Sequence, residues 1–372
     1  MSKKYDIVVF GATGFTGKLV CDYLSNHREA KKINWAVAGR DEKKLSRISE
    51  KYSADYIIAD SFDINSLKEM CESTKLVLST VGPYMLYGEN LVYSCVEAGT
   101  HYLDLTGEPG FVLNIFKKYR AKAIANESII MHCCGFESIP ADVAVHESLK
   151  HFNDDDNIEI SFYLKTKGTI SGGTWASFLH SISSPNAIIK SGRVKTKKTK
   201  KYFYSNIFKR WVLFFPVVDK YIVNKSIKSL NKFKKINFNQ YVIQKSFLSM
   251  LSLVFGVVAV SLISKIQPLK KKLLKLIPSG NGPTKEMREK NWFKVTLISE
   301  SKSKKVTTTI SGGDPGYGET SKFISETALS IILDTDKLIS NKGILTPMEC
   351  VGDILTNRLK ESGISITTEI NE

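Results

Sequence analysis

Apolar and polar positions follow one rhythm in the first third of the chain and another afterwards. Residues 5–10 (YDIVVF) form a short β-branched run that stops at Gly11-Ala12-Thr13-Gly14-Phe15-Thr16-Gly17. Leu19, Val20, Tyr23 and Leu24 then fall on one helical face. Further strands are predicted at 34–38, 56–59, 76–81, 102–105 and 129–133, with a helix over 91–98. Strands alternating with helices predict a doubly wound parallel sheet of α/β class, closing near residue 145.

Beyond residues 154–156 the period becomes two. Ile158, Ile160, Phe162 and Leu164 alternate with more polar residues, which predicts an antiparallel strand with one buried face. Residues 292–299 and 305–310 also read as strands, and helices are predicted at about 318–333 and 346–360. Between these lies residues 246–264 (SFLSMLSLVFGVVAVSLIS), 19 residues without a charge. As a helix it spans roughly 28 Å, near the thickness of a bilayer core. A second apolar patch, residues 211–218, is broken by Pro216. A buried core helix is the alternative to a lipid-seeking one. Ser249, Ser252, Gly256 and Ala259 would form a small-residue face that another helix can approach closely.

Charge changes the picture at the same place. The chain of 372 residues carries +16, yet residues 190–275 hold 21 basic residues and a single acid, Asp219. The rest is slightly acidic, so the positive charge belongs to one segment that seeks an anionic surface. Nucleic acid would not need the uncharged stretch; a membrane headgroup layer explains both it and the mingled aromatics and lysines. Lysines flank the stretch on both sides, at Lys245 and from Lys265 onward, so an in-plane or re-entrant helix fits better than a span. The start (MSKK) shows no secretory pattern and the end (EINE) no lipidation motif, so a lipid-facing segment would be internal. Six scattered cysteines suit a reducing compartment. His132, Cys133 and Cys134 would crowd three ligands on one strand, so no metal is expected.

The turn after the first strand has the spacing of a dinucleotide site. Its first glycine permits the tight turn, the second lets a pyrophosphate approach, and the third packs helix on strand. The second strand ends in Gly39-Arg40 where an acid would hold the ribose of NAD. A guanidinium there favours the 2′-phosphate of NADP over NAD, although Asp41 is adjacent. The candidate cofactor contacts are Gly11, Thr13, Gly14, Phe15, Thr16, Gly17, Arg40 and Gly82.

Eight segments in order resemble the saccharopine dehydrogenase-like oxidoreductases: GATGFTG (11–17), AGR (38–40), VGPYMLYGE (81–89), AGTHYLDLTGE (98–108), GFESIPAD (135–142), SGGTWAS (171–177), GDPGYGET (313–320) and GILTP (343–347). The resemblance implies a Rossmann-like NADP-binding domain (1–145) and an α+β domain (146–330). The latter would carry a hydrophobic, basic insertion at about 185–285, and residues 331–372 would return to the first domain. It also implies membrane or lipid-droplet association. The subgroup similar to trans-acting enoyl reductases of glycolipid synthesis is the nearer one.

Catalytic residues are not marked. Tyr163/Lys167, Tyr221/Lys225 and Tyr241/Lys245 match a Tyr-x-x-x-Lys spacing, but three matches are near chance. On a strand the first pair would stand roughly 13 Å apart. Tyr84, Asp104, Glu108 and Glu137 sit near strand ends as candidate proton donors, and each equally suits a cap or a loop anchor. The reading is an NADP-dependent oxidoreductase on the cytosolic face of a membrane or lipid droplet, moving hydride to a lipid-linked C=C or C=O group. Alternatives are an idle nucleotide-binding scaffold and a true saccharopine dehydrogenase, the latter short of arginines beyond residue 150. Expected partners are a lipid-like small-molecule substrate, an anionic membrane or droplet surface and a second copy of the chain in a homodimer; nucleic acid is not expected.

Overall fold

A computed structural model describes residues 3–154, 156–183, 200–215, 219–278 and 280–371. Residues 190–199 of the basic segment and residues 216–218 of the second apolar patch lie outside the described residues.

The first region runs β1 (Tyr5–Phe10), α1 (Phe15–Asn26), β2 (Trp35–Gly39), α2 (Glu42–Tyr52), β3 (Asp55–Ile58), α3 (Ile64–Ser73), β4 (Thr74–Ser79), α4 (Tyr84–Tyr87), α5 (Glu89–Glu97), β5 (His101–Asp104), α6 (Pro109–Ala125), β6 (Ile129–Met131) and α7 (Ile139–Leu149). The second runs β7 (Asn157–Lys167), α8 (Gly172–Ser183), β8 (Tyr202–Ser205), β9 (Arg210–Phe214), α9 (Asp219–Leu230), β10 (Lys235–Gln244), α10 (Phe247–Ser264), α11 (Gln267–Leu276), α12 (Lys285–Glu289), β11 (Trp292–Glu300) and β12 (Lys305–Gly312). The chain ends with α13 (Gly318–Leu333), β13 (Gly343–Leu345), α14 (Pro347–Cys350), α15 (Gly352–Glu361) and β14 (Ser365–Asn371).

Seven parallel strands form the first sheet in the order β13-β6-β5-β4-β1-β2-β3. The near-continuous apolar runs of β1 and β4 follow from burial on both faces. One face packs on α3, α5 and α6; the other shares a core with α1, α7, α13 and α15, and α7 also packs on β11, β12 and β14 of the second sheet. That second sheet is mixed, ordered β14-β12-β11-β7-β10-β9-β8.

Three expectations need correction here. β7 is antiparallel to β11 but parallel to β10, so the alternating 158–164 run is a central strand of mixed pairing. The basic segment is not wholly an insertion. Residues 202–244 supply β8, β9 and β10 to the sheet, with α9 between β9 and β10, and α10 to α12 follow outside it. The C-terminal segment divides: β13 joins the first sheet while β14 closes the edge of the second.

The apolar stretch is not a buried core helix. Within α10 only Met250 and Ser264 are buried. A Ser246–Ser249 capping box starts it, each hydroxyl accepting from the other residue's N–H (3.0 and 3.1 Å). At Gly256, in the middle of the small-residue face, no helix approaches among the described residues, since a Cβ there would meet nothing within 4 Å.

Asp142 on α7 is buried, with Oδ2 accepting from the Met348 N–H at 3.2 Å and Oδ1 without a partner among the described residues. Burial pushes it up to about 7; Glu349 adds to the rise, while the nearby Ser226 hydroxyl, the Met348 bond and the Lys225 charge oppose it. A raised carboxyl pKa leaves the fold fully stable below about pH 4 and weakens it as pH climbs toward the folded value. Asp142→Asn is therefore expected to flatten the fall in stability between about pH 5 and pH 8, a gain of on the order of 2 kcal/mol at the upper end. Urea unfolding at the two pH values measures it.

Candidate functional site

A cleft of about 1830 Å³ opens between the two sheets at the carboxyl ends of the parallel strands. Ligand pockets usually enclose roughly 300–1,000 Å³, so this one has room for a dinucleotide and a second, long molecule. Gly11, Thr13, Gly14, Phe15, Thr16, Arg40 and Gly82 line it. Gly17 does not. It lies under the turn, where a Cβ would stand 2.2 Å from the Gly11 carbonyl oxygen. Its part is packing helix on strand, as its place in the glycine spacing suggests.

The turn fits a pyrophosphate. Gly11 has φ +88°, and a Cβ there would meet Val81 at 2.6 Å and Thr80 at 2.8 Å. Gly14 begins α1 with no side chain capping it, so the helix offers N–H groups and partial positive charge to the cleft. Arg40 follows β2, exposed, and pairs with no carboxylate among the described residues. The adjacent Asp41 is occupied. It caps α2 by accepting from the Lys44 N–H (3.1 Å) and pairs with the Lys44 ammonium (2.8 Å). Asp60, Ser61 and Phe62 after β3 complete this end. The residues present thus suit a dinucleotide carrying a phosphorylated ribose.

The candidate proton donors separate clearly. The Tyr84 hydroxyl donates to the Ser79 carbonyl (3.1 Å) and accepts from the Leu105 N–H (3.2 Å), and burial holds its pKa far above the ordinary value. It fixes the fold and is not a proton donor. Asp104 does not line the cleft. It accepts from the Thr106 and Cys133 N–H groups (both 3.0 Å) and pairs with His132 Nδ1 at 2.6 Å. Glu108 takes the N–H groups of Tyr84 and Met85 (2.9 and 3.0 Å) and anchors the loop after β4. Glu137 alone keeps an enclosed oxygen, Oε2, with no partner among the described residues. Burial pushes it up to about 7, and the Asp104 charge adds to the rise.

None of the Tyr/Lys pairs makes a dyad. Tyr163 stacks on Tyr241 (5.4 Å), away from the cleft, and Lys225 pairs with Glu349.

Away from the nucleotide end the cleft becomes apolar. Phe178 and Ile182 of α8, Leu213 and Phe214 of β9, and Leu253 and Val257 of α10 form this arm, and Lys265 lies at its α10 end. The opposite stripe of α10 faces outward: Leu248, Phe255 and Leu262, seven residues apart, are 75%, 76% and 59% exposed. The Trp175 indole N–H donates to the Leu273 carbonyl (2.7 Å) and Lys270 to the Ser183 hydroxyl (2.8 Å), tying α11 to α8. The strand of chain after α11 returns over the cofactor turn, where a Cβ at Gly282 would collide with the Phe15 ring at 2.6 Å. Asp219 and Gln240 also line the cleft, and neither was a sequence candidate. The one signal for Asp219 was its being the only acid in the basic segment.

The sequence profile of the saccharopine dehydrogenase NADP binding domain matches residues 7–131. A lipid droplet localized protein of Caenorhabditis elegans is 30% identical over 404 residues, spanning 94% of each chain. A trans-acting enoyl reductase of Mycobacterium ulcerans is 26% identical over 414 residues, spanning 98% of each. The saccharopine dehydrogenase-like oxidoreductase of Homo sapiens is 26% identical over 418 residues, spanning 98% of this chain and 97% of that one. Among solved structures, apo saccharopine dehydrogenase (L-Glu forming) of Saccharomyces cerevisiae superposes with a TM-score of 0.60 at 14% identity, covering 99% of this chain and 100% of that one.

Proposed function

This chain belongs to the saccharopine dehydrogenase-like oxidoreductase family, and on that premise we propose that it is an NADP-dependent reductase of a lipid-linked substrate, docked on the cytosolic face of an anionic membrane or lipid droplet. One observation carries the reading. A single cleft runs from the glycine turn to the inner face of α10, and the outer face of the same helix is apolar and exposed. When bound, NADP in its reduced form supplies the hydride. The chain's residues do the rest. Gly11 and Gly14 let the pyrophosphate approach α1, Arg40 takes the 2′-phosphate, and the apolar arm holds a hydrocarbon chain and keeps water out.

α10 is read as lying in the lipid surface. β7 stands between β10, which precedes α10, and β11, which follows it, in one hydrogen-bonded sheet. A bilayer crossed once at α10 would separate those partners. Lys271, Lys272 and Lys275 of α11 are exposed beside it and suit anionic headgroups. The Caenorhabditis relative's name, which puts that protein on lipid droplets, supports this reading. An acidic amino-acid substrate is disfavoured, since Arg40 is the one arginine lining the cleft among the described residues. Arg358 is spent on Glu29 and Asp334.

Fluorescence titration with NADPH and NADH tests the cofactor assignment. Arg40→Ala is expected to weaken NADPH binding by roughly tenfold to a hundredfold, the worth of a charge-assisted hydrogen bond, and to leave NADH within about twofold. Tighter binding of NADH than NADPH by the unaltered protein would overturn it.

A further inference from the structure

Three polar groups of the cleft lie near one another, since the Glu137 charge reaches Asp219 and Asp219 holds Gln240. Glu137, on the loop between β6 and α7, rests against the backbone of Gly135, where a Cβ would stand 2.3 Å from Oε2. Asp219 opens α9 and is 7% exposed. Gln240 of β10 is 3% exposed and donates through Nε2 to Asp219 Oδ2. All three line the cleft, and both Glu137 Oε2 and Gln240 Oε1 lack partners among the described residues. Buried polar atoms left unmatched weaken a fold, and a ligand that matches them recovers the loss.

We propose that Glu137 receives the oxygen of a neutral carbonyl or alcohol group on an otherwise apolar substrate and is the catalytic acid that protonates this oxygen, and that Gln240 accepts from the hydroxyl of the alcohol form. The proposal rests on the reading of the cleft as the site of a lipid reductase and names the functional group it takes. A carboxylic acid donates one hydrogen bond and an amide oxygen accepts one. An alcohol does both and so matches the pair, while a carbonyl oxygen uses only the Glu137 donor. In the reductive direction the O–H bond of Glu137 breaks as the new O–H bond forms on the substrate oxygen. Gln240 Oε1 then accepts from the resulting hydroxyl, and the Glu137 carboxylate regains a proton from water. The hydride, which carries both electrons, would come from the reduced nicotinamide named above and bond to the carbonyl carbon as the C=O π pair moves onto the oxygen. Asp219 is a positioning residue, holding the Gln240 amide so that Oε1 faces the cleft.

The groups around Glu137 favour its neutral form. Asp104 at the end of β5 and Asp219 on α9 are acids; Glu108 of the β5–α6 loop lines the same cleft. Tyr84, Cys133 and Cys134 also feel the Glu137 charge, and burial holds each of them protonated. Burial lifts Asp219 to about 8 and the Glu137 charge adds to it, so both acids hold protons on the acid side of neutrality. A substrate carboxylate would bring one more negative charge into this group and is excluded.

The test is calorimetric titration of the full chain in detergent with an eleven-carbon methyl ketone, its secondary alcohol, the alkane and the fatty acid. At about pH 6 the ketone is expected to bind about tenfold tighter than the alkane, the gain of one added hydrogen bond, and the alcohol tighter still. The ketone's advantage should fade by about pH 9 as Glu137 ionises. Gln240→Leu should erase the alcohol's advantage over the ketone and spare alkane and ketone binding. Glu137→Gln should keep ketone binding and remove its pH dependence. Alkane, ketone and alcohol binding within twofold of one another would overturn the proposal while leaving the apolar cleft in place, as would an unchanged pH profile in Glu137→Gln. Failure of every probe to bind would overturn the proposal and the lipid reading together. NADPH titration of each variant checks that the fold persists.

Discussion

Gly17→Ala is expected to abolish NADPH binding and to destabilise the chain by about 3 kcal/mol, the upper end of what overpacking costs. The added methyl would sit 2.2 Å from the Gly11 carbonyl oxygen, 2.8 Å from its carbon and 2.9 Å from Ala12 Cα. All three are backbone atoms of the turn, so no side chain can rotate away. Relief requires α1 to lift from β1, and that moves the N–H groups of the first helical turn off the phosphates. Gly256→Ala is the matched control. It lies in the exposed helix α10 with nothing near its Cβ, and should gain about 0.5–1 kcal/mol from helix propensity. Urea unfolding and nicotinamide fluorescence on both variants separate a local clash from a general intolerance of added methyls. Wild-type NADPH affinity in Gly17→Ala would show that the turn does not hold the diphosphate.

The second large effect concerns lipid. Changing Leu248, Phe255 and Leu262 together to glutamate should lower partitioning onto anionic vesicles at least a hundredfold, with unfolding and NADPH binding unchanged. Each exposed apolar side chain contributes about 1.5–3 kcal/mol on leaving water, and charge on the same stripe opposes insertion. These residues are mostly solvent-exposed, so the fold loses little. Neutralising Lys271, Lys272 and Lys275 should have a smaller effect that fades with added salt, about 1 kcal/mol per lysine near the surface. Deleting residues 190–275 would be a poor substitute for either experiment, because it removes β8, β9 and β10 from the second sheet. Co-flotation of the triple-glutamate variant at the wild-type level would refute the lipid role of this stripe.

The sequence was most legible where structure is local. The first βα unit and its glycine spacing need only a strand, a turn and a helix that follow one another, and Arg40 could be read from its place at the next strand end. β10 was hidden because its partner β7 is about 80 residues earlier and the surrounding lysines make the stretch look like an appended surface segment. Its own residues, with Phe238, Gln240 and Tyr241 buried, belong to a sheet interior. Tyr84 was misleading for the opposite reason. The Gly82-Pro83-Tyr84 step places it beside the cleft, but its hydroxyl is consumed by Ser79 and Leu105, and that bridge exists only once β4 and β5 pair. Glu137 could not be ranked above Asp104 or Glu108 from sequence. What separates them is that Glu137 Oε2 is left enclosed without a partner among the described residues while Asp104 and Glu108 use their carboxyls on backbone N–H groups, and that depends on how three loops pack.

The most direct measurement is consumption of NADPH by full-length protein on anionic vesicles, against fractionated lipid extracts. A reductase whose cofactor and lipid arms share one cleft should oxidise NADPH with at least one neutral lipid fraction, and lose that turnover in Glu137→Gln while still binding the cofactor. Tight NADPH binding with no oxidation in any fraction would contradict the assignment and leave a nucleotide-binding lipid-surface scaffold.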